Sequence, residues 1–120
     1  MNLSRLIANI KKHPEYHQAG MILCHNGVVR STSRDGRKVS GLTISVDNDK
    51  LEQVIASNKK TPGIVEILVE FNAKRKLAVG DDVMLLVVAG DIRENVIQVL
   101  TDTLNAIKTT VTSKTEFFVG

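Results

Sequence analysis

The residues of this chain that are best suited to chemistry are cations, and they occur in two places. The first is the segment from Arg30 to Lys38 (RSTSRDGRK), in which four cations accompany a single carboxylate. The second is the pair Lys108 and Lys114, which flanks a stretch rich in Thr and Ser. Fixed cations bind phosphate and carboxylate groups, and arginine does so through two parallel N–H donors. The pattern predicts an anion-binding site, although segment 30–38 is equally compatible with a solvated hairpin loop.

The other reactive side chains do not form a recognisable site. His13, His17 and His25 offer only a weak His-x-Glu-x-His pattern, whereas zinc sites need three or four ligands, so no metal site is predicted. Cys24 is the only cysteine, which excludes a disulfide within the chain. It adjoins His25, but neighbouring strand residues point to opposite faces. The pair therefore predicts no nucleophile, and Cys24 is interpreted as a small core residue.

Length and composition limit the class of protein. A chain of 120 residues predicts one domain spanning residues 1–120. The net charge is only +3, and aromatic residues make up 3% of the chain. Single-strand nucleic-acid binders rely on aromatic platforms and denser basic stripes, so a small anionic ligand or an acidic partner is favoured over nucleic acid. The lone cysteine and the absence of an apolar run of about 18 residues favour a cytoplasmic protein without a membrane span.

Hydrophobic periodicity predicts the elements that must position these cations. The order is α-β-β-α-β-β-α with a short tail, an α+β sandwich of helices on a mixed or antiparallel sheet. The predicted helices cover residues 2–12, 47–59 and 92–108, and the predicted strands lie around residues 21–29, 39–46, 64–71 and 83–89.

Two of these elements carry specific predictions about burial. The first helix has an apolar stripe (Leu3, Leu6, Ile7 and Ile10) that favours packing on its own core over docking in a partner's groove. The run from Val83 to Ala89 is continuously apolar, which predicts a strand buried on both faces in the middle of a sheet.

The last predicted helix carries Lys108 at its end. Asp91 and Glu94 have the spacing of a capping box at its start. Its apolar stripe is predicted to contain Ile92, Val96, Leu100, Leu104 and Ile107, widened by Ile97 and Val99. After Lys108 the pattern ends in a loop, and residues 117–119 predict an edge strand or an interface patch.

Several short patterns, in their order and spacing, resemble the large, catalytic subunit of molybdopterin synthase. The resemblance covers residues 20–116, with residues 1–14 as an additional N-terminal helix. The patterns are Gly20-x(6)-Gly27-Val-Val-Arg30, Arg34-Asp35, Val39-x-x-Leu42-Thr43, Leu77-x-x-Gly80-Asp81, Arg93 before the long helix, and Lys108-Thr109 at its end.

The resemblance implies a fold, a reaction and a partner. The fold would be an α/β hammerhead-type sandwich with a small β subdomain, and the protein would be a cytoplasmic homodimer. Its partner would be a small ubiquitin-like subunit whose C-terminal Gly-Gly carries a thiocarboxylate. Two sulfurs would pass to a cyclic pyranopterin monophosphate and form the dithiolene of molybdopterin, with no metal or organic cofactor.

The same resemblance implies roles for five cations. Lys108 and Lys114 would be catalytic, and Arg30, Arg34 and Arg93 would bind the phosphate-bearing substrate. Without the resemblance, the simplest interpretation of Lys108 is a lysine that complements the carbonyl end of a helix.

Two departures from the family pattern motivate an alternative function. Ile92 stands where the family has a histidine, and Val111-Thr-Ser-Lys114 replaces a Pro-Phe-Trp-Lys segment and is about one residue shorter. The alternative is a catalytically degenerate member that acts as a dimeric binding or assembly module. With either function, the interface of the expected homodimer is predicted to come from Phe117, Phe118 or the apolar strand near Val83 to Val88.

Overall fold

The computed structural model describes residues 1–120 and contains three α-helices and two three-stranded antiparallel sheets. None of the helices combines the length and apolarity needed to cross a bilayer. The sheet orders are β1-β5-β3 and β4-β2-β6, which confirms the α+β prediction. The helices are α1 (Leu3–Lys11), α2 (Asn48–Lys59) and α3 (Arg93–Ala106), and the strands are β1 (Met21–Val28), β2 (Val39–Val46), β3 (Ile64–Phe71), β4 (Leu77–Ala78), β5 (Asp82–Gly90) and β6 (Thr112–Phe118).

Strand β5 is the centre of the first sheet, as its apolar run predicts. It pairs with β1 on one side and β3 on the other. Its side chains alternate between two clusters, because successive strand residues point to opposite faces. Leu85 and Val87 pack with α1, whereas Leu86 and Val88 pack beneath α2 and α3. The suggestion that this strand supplies a dimer interface is therefore wrong, since both of its faces are already covered.

Helix α1 packs on its own sheet, as its stripe predicts. Leu6 and Ile10 are buried against β3 and β5. The side chain of Asn2 caps the helix by accepting a hydrogen bond from the Arg5 amide at 3.2 Å. The helix ends at Lys11, three residues before Pro14, in keeping with the tendency of a residue that precedes proline to avoid the helical region.

The predicted capping box of α3 does not form. The N-cap residue is Ile92, whose side chain cannot form a capping hydrogen bond. Asp91 Oδ1 instead accepts hydrogen bonds from the adjacent Ile92 amide at 2.6 Å and from Asn95 Nδ2 at 2.9 Å. Glu94 pairs with Arg93 at 3.3 Å. Asp91 lies one residue before the N-cap position, and its carboxylate is already engaged by Ile92 and Asn95. It therefore does not cap the first turn of the helix.

The buried face of α3 is narrower than predicted. It consists of Val96, Val99 and Thr103, followed by Ile107 in the turn beyond the helix. These residues recur every three or four positions, which is the helical period. Ile92 and Ile97 are 53% and 50% exposed, so placing them on the buried stripe was wrong.

The start of α3 also depends on Gly63. This residue has φ +88°, and a Cβ there would lie against the Asp91 carboxylate and 2.7 Å from Asn95 Nδ2. We expect Gly63→Ala to lower the free energy of unfolding by about 3 kcal/mol, because strain at positive φ adds to the clash. Urea unfolding measures this change. Gly36→Ala is the matched control, since Gly36 has φ +86° with nothing within 4 Å of its Cβ position. We expect the control to cost about 1 kcal/mol, and equal losses would contradict the role of Asp91.

The two strands around segment 30–38 do not form a hairpin. β1 pairs with β5 in the first sheet, and β2 pairs with β4 and β6 in the second. Segment 30–38 therefore crosses from one sheet to the other. The second sheet has a small core of its own, formed by Val29, Leu42 and Leu77.

The C-terminal segment is more ordered than predicted. The predicted loop after Lys108 is a π turn (Ile107–Val111), and it leads directly into β6. Residues 117 and 118 lie in an edge strand, as predicted, but the strand already begins at Thr112 and it ends before Val119. The short strand β4 lies outside the predicted strands, because two residues carry no measurable periodicity.

Candidate functional site

A cleft of about 540 Å³ lies where the two sheets meet, and we call it the cationic cleft. Both sheets, segment 30–38 and the π turn contribute to its walls. Its apolar lining residues are Val28, Leu42, Ile44, Val83, Met84 and Ile107. Its polar lining residues, apart from Gly27, are His25, Asn26, Arg34, Lys108, Thr112 and Lys114.

The π turn positions Lys108. Ile107 is fully buried and fixes the start of the turn in the core. The hydroxyls of Thr109 and Thr110 donate to the carbonyls of Asn105 and Ala106 at 3.0 and 2.7 Å. The wide turn thus leaves Lys108 exposed at the cleft while its neighbour is held in the core. Such single π turns are frequent at functional sites.

Lys114 and Arg34 reach the cleft from the second sheet and from the crossing segment. Lys114 stands opposite Ile44 in the β2–β6 pairing. Arg34 lies in a compact turn organised by Ser33, whose amide donates to the Arg37 carbonyl at 2.8 Å. The Ser33 hydroxyl contacts the Asp35 carboxylate and accepts from the Arg37 amide.

The cleft is strongly positive, because three cations and no carboxylate line it. Arg34, Lys108 and Lys114 form no ion pair with any acidic residue of the chain. Asp35, the single carboxylate of segment 30–38, is engaged within its own turn. The hydrogen bond from Ser33 is the main cause that lowers the pKa of Asp35, and the Arg37 amide and charge add to it. The arrangement suits an anionic ligand.

The cleft thus brings together three of the five cations that the sequence singled out. Arg30 does not line it, and its Nε donates to the Thr32 carbonyl at 2.8 Å. Arg93 begins α3 and is 78% exposed beside Glu94, whereas Lys108 follows the other end of that helix. Fourteen helical residues separate the two ends by roughly 20 Å.

Sequence reasoning missed His25 as a cleft residue. Its imidazole lies over Gly27, with Nε2 only 3.5 Å from where a Cβ of Gly27 would stand. Burial, followed by the positive charge of Lys108, lowers the pKa of the His25 ring. The available signal was the period-two alternation that places residues 25 and 27 on one face of β1.

Cys24 faces the other way, as predicted. It is half-buried and packs with the cluster beneath α1. Burial raises the pKa of its thiol. No group of three or more His, Cys, Asp or Glu side chains converges in a way that would hold a metal ion.

Comparisons with known proteins point to one family. The model of the family described as MoaE protein matches residues 2–110. No curated protein sequence matches the chain significantly.

Solved structures share the fold. Molybdopterin synthase from Staphylococcus aureus is 20% identical, with a TM-score of 0.73 over 88% of this chain and 83% of that chain. The molybdopterin biosynthesis MoaE protein from Burkholderia ambifaria is 17% identical, with a TM-score of 0.77 over 99% and 82%. A chain from the complex of subunits 1 and 2 of molybdopterin-converting factor from Helicobacter pylori is 16% identical, with a TM-score of 0.72 over 98% and 80%. At these identities the likeness shows the fold.

Proposed function

Because this chain belongs to the MoaE protein family, whose role lies in molybdenum cofactor biosynthesis, we propose that it is the sulfur-transferring large subunit of molybdopterin synthase. The sulfur donor is the C-terminal thiocarboxylate of a small ubiquitin-like subunit. The acceptor is a cyclic pyranopterin monophosphate, which becomes the dithiolene of molybdopterin without a resident metal or organic cofactor. The observation that carries the proposal is the convergence of three unpaired cations on one cleft.

The chemistry of both reactants fits this cleft. The pterin carries a phosphate and the donor is an anionic thiocarboxylate, so both require fixed positive charge. Arg34 binds the phosphate through its forked donors. Lys108 and Lys114 approach from different elements, and they stabilise the negative charge on the thiocarboxylate and on the intermediate that follows. A volume of about 540 Å³ is in the range of small-molecule sites.

The apolar part of the cleft provides a place for the end of the small subunit. Leu42, Ile44 and Val83 line the cleft next to the cations. The Helicobacter pylori relative was solved as a complex of two subunits, which supports a small-subunit partner here. The cytoplasm is the proposed compartment.

The proposal includes a homodimer, which gives Arg93 a function. The chain exposes 7337 Å², whereas a compact monomer of its mass exposes about 6400 Å². This excess favours further burial against a second copy, and Phe117 and Phe118 are candidate contacts. Arg93 is roughly 20 Å from the end of its own helix, so it would bind substrate in the cleft of the partner copy. Arg30 would contact the phosphate through its two Nη groups, since only its Nε is engaged by the Thr32 carbonyl.

The alternative remains a catalytically degenerate member that serves as a dimeric binding or assembly module. It is favoured by Ile92, which is 53% exposed where the family carries a histidine. Such a module would bind the small subunit and make no product.

Reconstitution separates the two functions. The protein is mixed with the thiocarboxylated small subunit of a family member and with cyclic pyranopterin monophosphate, and molybdopterin is measured. We expect product, and none with the same small subunit in its carboxylate form. Tight binding of the small subunit without product would establish the degenerate module instead.

A further inference from the structure

We propose that His25 is the general base of the cationic cleft and takes a proton from the water that releases the small subunit after sulfur transfer. This inference rests on the proposed function and adds a residue to it. It concerns a side chain to which the resemblance assigns no role.

The geometry makes the imidazole available to a ligand. His25 belongs to β1, one of the two edge strands of the first sheet, and its ring lies beside Gly27, with Nε2 3.5 Å from where a Cβ of Gly27 would stand. Neither ring nitrogen hydrogen-bonds to a protein group, in contrast to His13, whose Nδ1 accepts from the Glu15 amide at 3.0 Å. An unpartnered imidazole in a cleft can exchange a proton with a bound water.

No other group in the cleft is as well suited to accept a proton. The titratable groups that line the cleft with His25 are Lys108 from the π turn, whose charge acts on the ring, Lys114 from β6 and Arg34 from segment 30–38. Lysine and arginine are ordinarily protonated at neutral pH. β2 and β5 present only apolar side chains there, and no carboxylate lines the cleft.

The surroundings also keep the ring in its basic form. Burial and then the charge of Lys108 lower the pKa of His25 below the ordinary value of about 6.5. The neutral imidazole therefore prevails at pH 7, and activity that needs it falls as the pH drops through the lowered pKa.

The proposed step balances as follows. Sulfur transfer leaves the small subunit joined to the pterin through a thioester. A water oxygen forms a bond to the acyl carbon, and one water proton passes to the His25 imidazole. The C–S bond then breaks with its electron pair on sulfur, which gives a pterin thiolate and a carboxylic acid on the small subunit. The acid and the imidazolium lose their protons to solvent.

The test uses His25→Phe and His25→Asn in the reconstituted reaction. We expect turnover to fall about 100-fold in both variants, a typical contribution of a general base. Intact-mass analysis should show the covalent conjugate of small subunit and pterin accumulating, because only its hydrolysis is slowed. The acid limb of the wild-type pH–rate profile should disappear. His17→Phe is the control, since His17 is exposed outside the cleft, and it should behave as wild type.

Two outcomes would overturn the proposal. Wild-type turnover with an unchanged acid limb in both His25 variants would remove the base role. Slower turnover without any conjugate would assign His25 a structural role instead.

A separate NMR titration of the His25 ring checks its surroundings without any reaction. We expect a midpoint below 6.5 that rises in Lys108→Ala. A midpoint that does not move would contradict the placement of the ring. Absence of product from the wild-type protein, with the expected titration, would instead refute the proposed function.

Discussion

Lys108→Ala is expected to reduce molybdopterin formation about 1000-fold, the upper end of what one oxyanion-stabilising donor contributes. The lysine forms no ion pair within the chain, and its side chain is exposed at the cleft. Its loss therefore removes a positive charge that would stabilise the reacting anion, and it leaves no buried carboxylate without its ion-pair partner. We expect the thermal midpoint to stay within about 4 °C of wild type, because the buried residue of the turn is Ile107.

The variant Lys60→Ala is a control that distinguishes a catalytic role of Lys108 from simple helix stabilisation. Lys60 occupies the C-cap of α2, is exposed and lies outside the cleft. If Lys108 only complemented the carbonyl end of α3, both Lys108→Ala and Lys60→Ala would cost about 0.3–1 kcal/mol of stability and neither would affect turnover. Full activity of Lys108→Ala in the sulfur-transfer assay would therefore restore that simpler interpretation.

Arg93→Ala is expected to lower turnover about 100-fold even though Arg93 does not line the cleft of its own chain. An arginine that clamps a phosphate contributes several kcal/mol through two charge-assisted hydrogen bonds. Because Arg93 would serve the partner's cleft, the loss should be complemented in mixed dimers. The test unfolds equal amounts of Arg93→Ala and Lys108→Ala and refolds them together. Each mixed dimer then has one cleft that carries both substitutions and one cleft that carries neither. Random assembly should recover about a quarter of wild-type activity.

The separate variants provide the baseline for this experiment, and Lys60→Ala mixed with Lys108→Ala provides its control. That mixture should give about half of the activity, since only half of all clefts contain Lys108. If the mixture of Arg93→Ala and Lys108→Ala stayed at the baseline, Arg93 would act in its own protomer or not at all.

Elements with strong local periodicity were predictable from the sequence. The stripe of α1 and the apolar run of β5 both appear in the structure. Pairing between strands was not predictable, because alternation shows that a strand has two faces but not which neighbour it takes. β1 and β2 therefore looked like a hairpin. The first part of β6, from Thr112 to Glu116, was not predicted for another reason, since an exposed edge strand rich in Thr, Ser and Lys lacks the apolar alternation of a half-buried one.

In the cationic cleft, too, features visible in the local sequence were predicted, whereas contacts between distant residues were not. Arg34, Lys108 and Lys114 were found because charge is visible in the sequence and the resemblance gave it a context. His25 was not found, because its significance depends on Lys108, which is far away along the chain and close only after folding. The proximity of Gly27 to the ring likewise becomes visible only in the folded structure.

The two sheets differ in how much core supports them. The first sheet is covered on both faces by clusters of eight and six buried residues, whereas the second has a cluster of three. Local opening free energies follow such differences in buried contacts. The second sheet should therefore behave as a separate cooperative unit that exchanges its amide hydrogens well before β5 does. Lys114 would move with that unit while Lys108 stays with the rigid one, so the distance between the two lysines can fluctuate without global unfolding.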